Sequence, residues 1–288
     1  MDNVYLNGRL VPREQARISP FDRGFLYGDG FFETTRICAG APLFLERHLE
    51  RLANSCRETG FGGGPDAAAL AIGVKELIRA NEVEEGYLRM TVSRGRHQGR
   101  LTELETTEPT VLAEARPMEL PPLDAAPPPI TLARADHRRN EASPVVRHKS
   151  LSYQGNVLAL ADGRRRGADE VYFLNSRGDL AEGAISNLFF VRDGTLCTPA
   201  VECGLLPGIT RAVLLGLCAE EGIPLETGHY SEADLLTADE AFCTNSLRGM
   251  MPVASILGPP DTEFTPGETT AVLRTAYAAL CRYESRPE

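Results

Sequence analysis

Lysine is close to absent from this chain: of 30 basic residues in 288, only Lys75 and Lys149 carry an amine, and arginine supplies the rest. That scarcity bears on chemistry, because an amine can lose its proton and form an imine with a carbonyl, whereas a guanidinium cannot. Also missing is any apolar run near the roughly 18 residues that a membrane span requires. The stretch Met1 to Arg9 has no basic-then-apolar signal pattern, so a cytoplasmic protein is expected. The seven cysteines (38, 56, 197, 203, 218, 243, 281) are odd in number and lack CxxC spacing, which favours reduced, mostly buried thiols over a disulfide framework or a metal site. With a net charge of −10 and arginines interleaved with acids, no basic stripe exists to neutralise phosphates, and a general nucleic-acid binder is excluded.

What is present is an ordinary globular composition, 42% hydrophobic and 24% charged, with room for one large or two modest cores. Val4 to Leu6 and Arg9 to Val11 about Asn7-Gly8 read as a hairpin. Asp22 to Arg36 reads as a glycine-rich turn, with a local Asp22–Arg23 pair, leading into a strand from Phe31 to Cys38. Residues 44–60 and 66–80 carry apolar stripes at helical spacing (Leu45, Leu49, Leu52, Cys56; Leu70, Val74, Leu77), and Lys75 lies beside the second stripe as a surface charge. Arg47, His48 and Arg51 share the surface next to the first. Gly86 to Gly95 alternates, with Tyr87 and Arg89 on one face and Leu88 and Met90 on the other. A strand near Thr110 to Ala115 precedes Arg116 to Pro129, which holds six prolines and reads as a stiff linker.

The division expected is therefore a small N-terminal α/β domain over 1–117, a linker over 118–129 and a larger domain over 130–288. A helix over 156–166 is followed by a β-meander from Glu170 to Thr198. Leu206-Pro-Gly-Ile-Thr-Arg211 puts a corner before an apolar helix, whose first amides, near Ile209 and Thr210, form a ready anion site. Glu240 to Val253 reads as a strand entering a hydroxyl-rich turn, and 267–283 as a closing helix.

Four motifs then occur in order: Lys149 with Tyr153 and Asn156; Ala181-Glu-Gly-Ala-Ile-Ser-Asn-Leu-Phe-Phe190; Leu206-Pro-Gly-Ile-Thr-Arg211; and Thr244-Asn-Ser-Leu-Arg-Gly-Met-Met-Pro-Val253. On residues alone, Lys149 is a nucleophile or a solvated charge, Glu182 a turn carboxylate and Arg89 an exposed strand charge. As an ordered set, the motifs resemble the fold-type IV pyridoxal-phosphate enzymes, which include branched-chain aminotransferases, D-amino-acid aminotransferases and 4-amino-4-deoxychorismate lyases. The resemblance runs from Tyr5 to about Ile256. It implies a two-lobed α/β (α+β) fold with a β-barrel-like sheet in the larger lobe, pyridoxal 5′-phosphate between the lobes, and a homodimer.

Carried over residue by residue, Lys149 would hold the cofactor aldehyde and shuttle the substrate proton, and Glu182 would pair with the pyridine nitrogen, keeping the ring an electron sink. Arg51, the amides of Ile209 and Thr210, and the Ser246 hydroxyl would take the phosphate. Tyr153 stands four residues after the lysine, where the branched-chain enzymes place theirs at five, which leaves its role toward the ring hydroxyl open. Phe32, Thr34, Arg36, Tyr87, Arg89, Leu247 and Arg248 would face the substrates.

Tyr87 and Arg89 match the Tyr-x-Arg of branched-chain enzymes, in which the arginine receives the distal carboxylate of glutamate. Thr34 and Thr244-Asn-Ser-Leu lean toward the lyases. Arg96 and His97 are adjacent, not spaced by one residue as in the D-amino-acid enzymes. The expectation is an aminotransferase acting on an amino acid of branched-chain type and a 2-oxo acid. A lyase releasing pyruvate and 4-aminobenzoate is the first alternative, and a D-amino-acid transaminase the second.

Overall fold

Two adjacent residues with positive φ, Asn7 at 46° and Gly8 at 86°, turn β1 (Asn3–Leu6) back on β2 (Arg9–Pro12). Asparagine and glycine tolerate those conformations at little cost, so the expected hairpin forms with Leu6 opposite Arg9. The structure, a computed structural model, describes residues 2–61, 64–96, 99–102, 104, 108–265 and 267–286. It comprises two units: Met1–Leu120 with His148–Ser152 and Arg282–Glu288, and Pro121–Arg147 with Tyr153–Cys281. The segment bearing Lys149 thus clusters with the N-terminal unit, although its chain neighbours on both sides belong to the other. Residues 118–129 form no helix or strand.

The first unit is a six-stranded antiparallel sheet carrying helices. Its strands β1, β2, β3 (Gly30–Cys38), β4 (Ala41–Pro42), β5 (Gly86–Ser93) and β6 (Thr110–Pro117) lie in the order β2-β1-β6-β5-β3-β4. Its helices are α1 (Arg23–Tyr27), α2 (Leu45–Glu58) and α3 (Ala67–Ala80). Alternation along β5 buries Leu88, Met90 and Val92 completely, in one cluster with Leu49 and Leu52 of α2 and Leu70, Val74 and Leu77 of α3. Tyr87 and Arg89 take the other face, half-buried.

The run before β3 differs from expectation. Asp22 does not pair with Arg23; it caps α1 by accepting from the Gly24 amide at 2.7 Å and also accepts from the Thr110 hydroxyl at 2.6 Å. Arg23 reaches Asp29 instead, at 2.8 Å. An N-cap carboxylate satisfies amides that would otherwise lack partners, which outweighs a charge contact with its neighbour.

The second unit is a nine-stranded mixed sheet: β7 (Ile130–Arg134), β8 (Glu170–Leu174), β9 (Leu180–Gly183), β10 (Asn187–Arg192), β11 (Thr195–Pro199), β12 (Leu225–Gly228), β13 (Glu240–Asn245), β14 (Gly249–Leu257) and β15 (Thr262–Glu263). The order β12-β11-β10-β13-β14-β7-β8-β9, with β15 on β14, is not the simple meander expected over 170–198. β10 and β13 are buried along nearly their whole length, so both edges of each must be hydrogen-bonded; β13 occupies the ladder beside β10, and β14 the far edge of β13. β9 still touches β10 and β11, which curls the sheet into a half-barrel. Phe189 and Phe242 stack across that ladder with centroids 5.0 Å apart. Four helices accompany it: α4 (Gln154–Arg165), α5 (Ile209–Glu220), α6 (Glu232–Leu236) and α7 (Glu268–Glu284). Among the described residues no helix is long and apolar enough to cross a membrane.

Gly73 on α3 shows how tightly the first unit is packed, because a Cβ there would stand 2.2 Å from the Tyr5 ring. Gly73→Ala gains about 1 kcal/mol of helix propensity but forces an overlap costing about 1–3 kcal/mol. The urea midpoint is expected to fall, and a raised midpoint would show that α3 can slide off Tyr5 freely.

Candidate active site

Residues 148–152 run antiparallel to the start of β3. The Phe32 amide donates to the Lys149 carbonyl and the Leu151 amide to the Gly30 carbonyl, each at 2.9 Å, with Phe31 opposite Ser150. The approach is close enough that a Cβ at Gly30 would lie 2.7 Å from Leu151 and 2.4 Å from the Val92 carbonyl. His148 anchors the segment through Ser55 of α2 at 3.0 Å. Lys149 Nζ is then 4.5 Å from the centroid of the buried Phe32 ring, and the Arg89 guanidinium carbon 4.0 Å from the same centroid. Both are cation–π contacts.

The β3–β5 register sets Thr34 opposite Arg89 and Arg36 opposite Tyr87. With two-residue periodicity, Phe32, Thr34, Arg36, Tyr87 and Arg89 therefore share the sheet face turned away from α2 and α3. Arg36 is buried against Glu85, 3.3 Å away, and Tyr87 donates to Glu114 at 3.3 Å.

Arg51 lies on the opposite, helix-facing side of β3. Its Nε and Nη2 donate to the two oxygens of Glu33 at 2.8 and 2.6 Å, and His48 Nδ1 meets the same carboxylate at 2.7 Å. Glu33 and His48 are all but fully buried. Burial alone would raise the Glu33 carboxyl, but the Arg51 charge and the hydrogen bonds from His48 and Arg51 outweigh it and hold the group at about 2. Burial pushes the His48 imidazole down. An ionised carboxylate can only accept, so the neutral ring carries its proton on Nδ1. The helical stripe had offered His48 as surface; a buried carboxylate on β3 draws it inward, a pairing across 15 residues that helix periodicity does not reveal.

In the second unit, Glu182 on β9 is buried between an Arg139 guanidinium at 2.7 Å and the Leu206 amide at 2.9 Å. Arg139 also lies over Phe173, 4.5 Å from its centroid, and donates to Asn156 at 3.3 Å. Tyr153 and Asn156 both donate to the Ala184 carbonyl, at 2.8 and 2.6 Å. Burial raises the Tyr153 phenol, so it is a neutral donor. Glu170 holds the turn after Glu182 by accepting from the Ala184 and Ile185 amides and the Ser186 hydroxyl at 3.1, 3.2 and 2.9 Å. Sequence reasoning missed both Arg139 and Glu170: each sits beside a like-charged neighbour, Arg138 and Asp169, and no spacing signal singles it out.

The N-cap of α5, Gly208, offers no side chain to the first amides of the helix. Ile209 and Thr210 open that helix, both buried, and the Thr210 hydroxyl has no hydrogen-bond partner among the described residues. The buried hydroxyl of Thr244 on β13 is likewise without one. Leu247 and Arg248 lie in the β13–β14 turn, their amides donating to the Asn245 side chain at 3.1 and 2.8 Å, with Ser246 half-buried beside them. His97 lies outside the described residues.

Residues 30–256 match the family model described as amino-transferase class IV. The chain is 34% identical over 276 residues to a Methanocaldococcus jannaschii protein assigned as a branched-chain-amino-acid aminotransferase, covering 95% of this chain and 94% of that one. It is 32% identical over 281 residues to an aminodeoxychorismate lyase of Bacillus subtilis, covering 95% and 93%. Among solved structures, the branched-chain aminotransferase of Thermoproteus uzoniensis with norvaline superposes with a TM-score of 0.90 at 29% identity, covering 98% of this chain and 95% of that one.

The Glu33 cluster sets an acid limit on stability. A carboxyl depressed from 4.5 to about 2 stabilises the fold above its ordinary value, and that stabilisation drains away as pH falls toward about 2. His48, kept neutral by burial, adds a loss that begins as the pH falls through the ordinary imidazole value, where the unfolded chain takes up a proton that the folded one does not. Between about pH 5 and about pH 3, urea titration should show the native protein losing on the order of 2 kcal/mol more than Glu33→Gln does. Parallel losses in the two proteins would remove Glu33 as the cause.

Proposed function

The chain belongs to the class IV aminotransferase family, and on that footing we propose that it transfers an amino group between an amino acid of branched-chain type and a 2-oxo acid, using pyridoxal 5′-phosphate. Enzymes of this class use that cofactor, and the donor set here suits it. An uncapped helix N-terminus beside a buried hydroxyl with no partner among the described residues, Thr210, suits a phosphate, and a buried carboxylate oriented by an arginine and an amide, Glu182, is an acceptor suited to a cationic N–H. When bound, the group supplies an aldehyde carbon for a lysine amine and a ring that spreads the charge left at the substrate Cα.

In this reading Lys149 Nζ would hold the aldehyde carbon at rest and, once the substrate amine has displaced it, would serve as the base that carries the proton from the substrate Cα. Glu182 keeps a proton on the ring nitrogen. Arg51, the Ile209 and Thr210 amides and Ser246 bind phosphate, and Tyr153 borders the ring. Phe32, Thr34, Arg36, Tyr87, Leu247 and Arg248 border the substrates. Arg89 takes the distal carboxylate of glutamate. The observation that carries the reading is the Phe32 ring with an amine and a guanidinium against it, on the face that also bears Tyr87. We also propose a homodimer, consistent with Phe21, Phe25 and Tyr27, which are 61%, 78% and 47% exposed on the first unit.

The lyase reading is favoured by Thr34 and by Thr244-Asn245-Ser246-Leu247, and it demands pyruvate and 4-aminobenzoate from aminodeoxychorismate with no oxo-acid acceptor. Release of pyruvate under those conditions, with no amino transfer from amino acids, would replace the aminotransferase reading.

The native protein should be yellow, and borohydride should fix the cofactor to the chain. In Lys149→Ala turnover should vanish, and covalent trapping with it; trapping that persists in the variant moves the nucleophile elsewhere.

Arg89→Ala should impair turnover with glutamate far more than with leucine or valine. A charge-assisted hydrogen bond lost to one substrate only corresponds to about 1.5–3 kcal/mol in kcat/KM. Equal losses for all three would assign Arg89 to the support of Phe32 and not to the carboxylate.

A further inference from the structure

Asp179, Cys203 and His229 converge in the second unit, although 26 residues separate the cysteine from the histidine and 50 the aspartate. His229 Nδ1 is 3.5 Å from Cys203 Sγ and 3.1 Å from Asp179 Oδ2, and the three donor atoms all lie within 4.8 Å of one another. One ring nitrogen thus faces two partners that a single proton cannot serve. Protonated, Nδ1 donates to the carboxylate and the thiol turns to the Gly228 carbonyl at 3.8 Å, a weak contact. Deprotonated, Nδ1 opposes its lone pair to the carboxylate.

A divalent cation would engage all three donor atoms at once, and the spacing suits one. Four-coordinate zinc, with Zn–S of about 2.3 Å and Zn–N or Zn–O of about 2.0–2.1 Å, sets S···N near 3.5 Å and N···O near 3.3 Å along the edges of its tetrahedron. The observed edges are 3.5 and 3.1 Å. The carboxylate is also fixed from behind: buried Asn175 donates to Asp179 Oδ2 at 3.1 Å and accepts from the Asp179 amide at 2.9 Å. Support of that kind orients a ligand before the ion arrives. Arg177 stands 3.7 Å from Asp179 and 3.5 Å from Glu141, so it can give up the aspartate and keep the glutamate. Cys203 is fully buried, while the His229 side chain is 51% exposed, which leaves a coordination position toward solvent.

We propose that Asp179, Cys203 and His229 form a binding site for a thiophilic divalent cation of the zinc type, with its fourth position open to water. Burial pushes the Cys203 thiol up, and a bound cation acts in the opposite direction by stabilising the thiolate. Asp179 immediately precedes β9, which bears Glu182, and Cys203 stands three residues before Leu206, whose amide holds that carboxylate. The ion would staple the two segments that support Glu182. It needs no part of the catalytic reading, and Lys149→Ala should bind the cation as the native protein does.

Holoenzyme freed of metal with a chelator and titrated with Co(II) should take up one equivalent, with a thiolate-to-cobalt charge-transfer band and the intense visible bands of four-coordination in difference spectra. Cys203→Ser should lose the charge-transfer band. His229→Ala, at a half-exposed position where folding is safe, should weaken uptake about tenfold or more. Zn(II) should raise the melting temperature of the native protein and leave that of His229→Ala unchanged. Absence of stoichiometric uptake, or uptake with the same band and affinity in both variants, overturns the proposal.

Discussion

Two backbone hydrogen bonds, Phe32 amide to Lys149 carbonyl and Leu151 amide to Gly30 carbonyl, carry a disproportionate share of this structure. They lift five residues out of the stretch of chain that builds the second unit and add them to the edge of the first unit's sheet. β4 covers the far end of β3 over Ile37 and Cys38, so the beginning of β3 would otherwise be an unpaired edge. Filling it with the lysine segment settles two problems at once. The Phe32 amide finds an acceptor and the Gly30 carbonyl a donor, and the amine is delivered on a segment whose backbone is tied to β3.

The same economy governs the buried carboxylates. Glu33 and Glu182 lie in different units, yet each is met by an arginine and by a second donor, His48 for one and the Leu206 amide for the other. A carboxylate removed from water without such partners would protonate. Glu170 illustrates the boundary: among the described residues it has no arginine against it, only amides and a hydroxyl, and burial raises it. Charge is retained at Glu33, where a guanidinium is supplied, and the composition, rich in arginine and nearly without lysine, suits that task, since the planar fork gives Glu33 two parallel bonds.

Much of the fold was legible because local patterning and tertiary burial agree. The stripes of Leu45, Leu49 and Leu52 and of Leu70, Val74 and Leu77 meet in one core, and the alternation in β5 faces as it reads. Illegible features depend on partners far along the chain. His48 reads as helix surface until Glu33 is placed beneath it; Arg139 gains meaning only against Glu182, 43 positions on; the meander fails because β13 claims the ladder beside β10. The absence of CxxC spacing spoke against a metal site, yet Asp179, Cys203 and His229 meet with no spacing signal at all. Of the residues assigned to the substrate, Phe32, Thr34, Arg36, Tyr87 and Arg89 lie on one sheet face, and ladder register alone brings them there.

That face also explains why arginine cannot stand in for Lys149. The Phe32 ring has Arg89 against it at 4.0 Å, a delocalised cation suited to stacking and to gripping a carboxylate, and the second cation at 4.5 Å must do something else. A guanidinium in that place would keep its proton at any physiological pH and could neither attack a carbonyl carbon nor carry a proton away from Cα. The two cations against one ring are thus different instruments: one binds charge permanently, the other can lose it. A site that recognises an acidic substrate and also abstracts a proton needs one of each, and only the exchange of lysine for arginine at 149 would abolish the second while leaving the charge of the face unchanged.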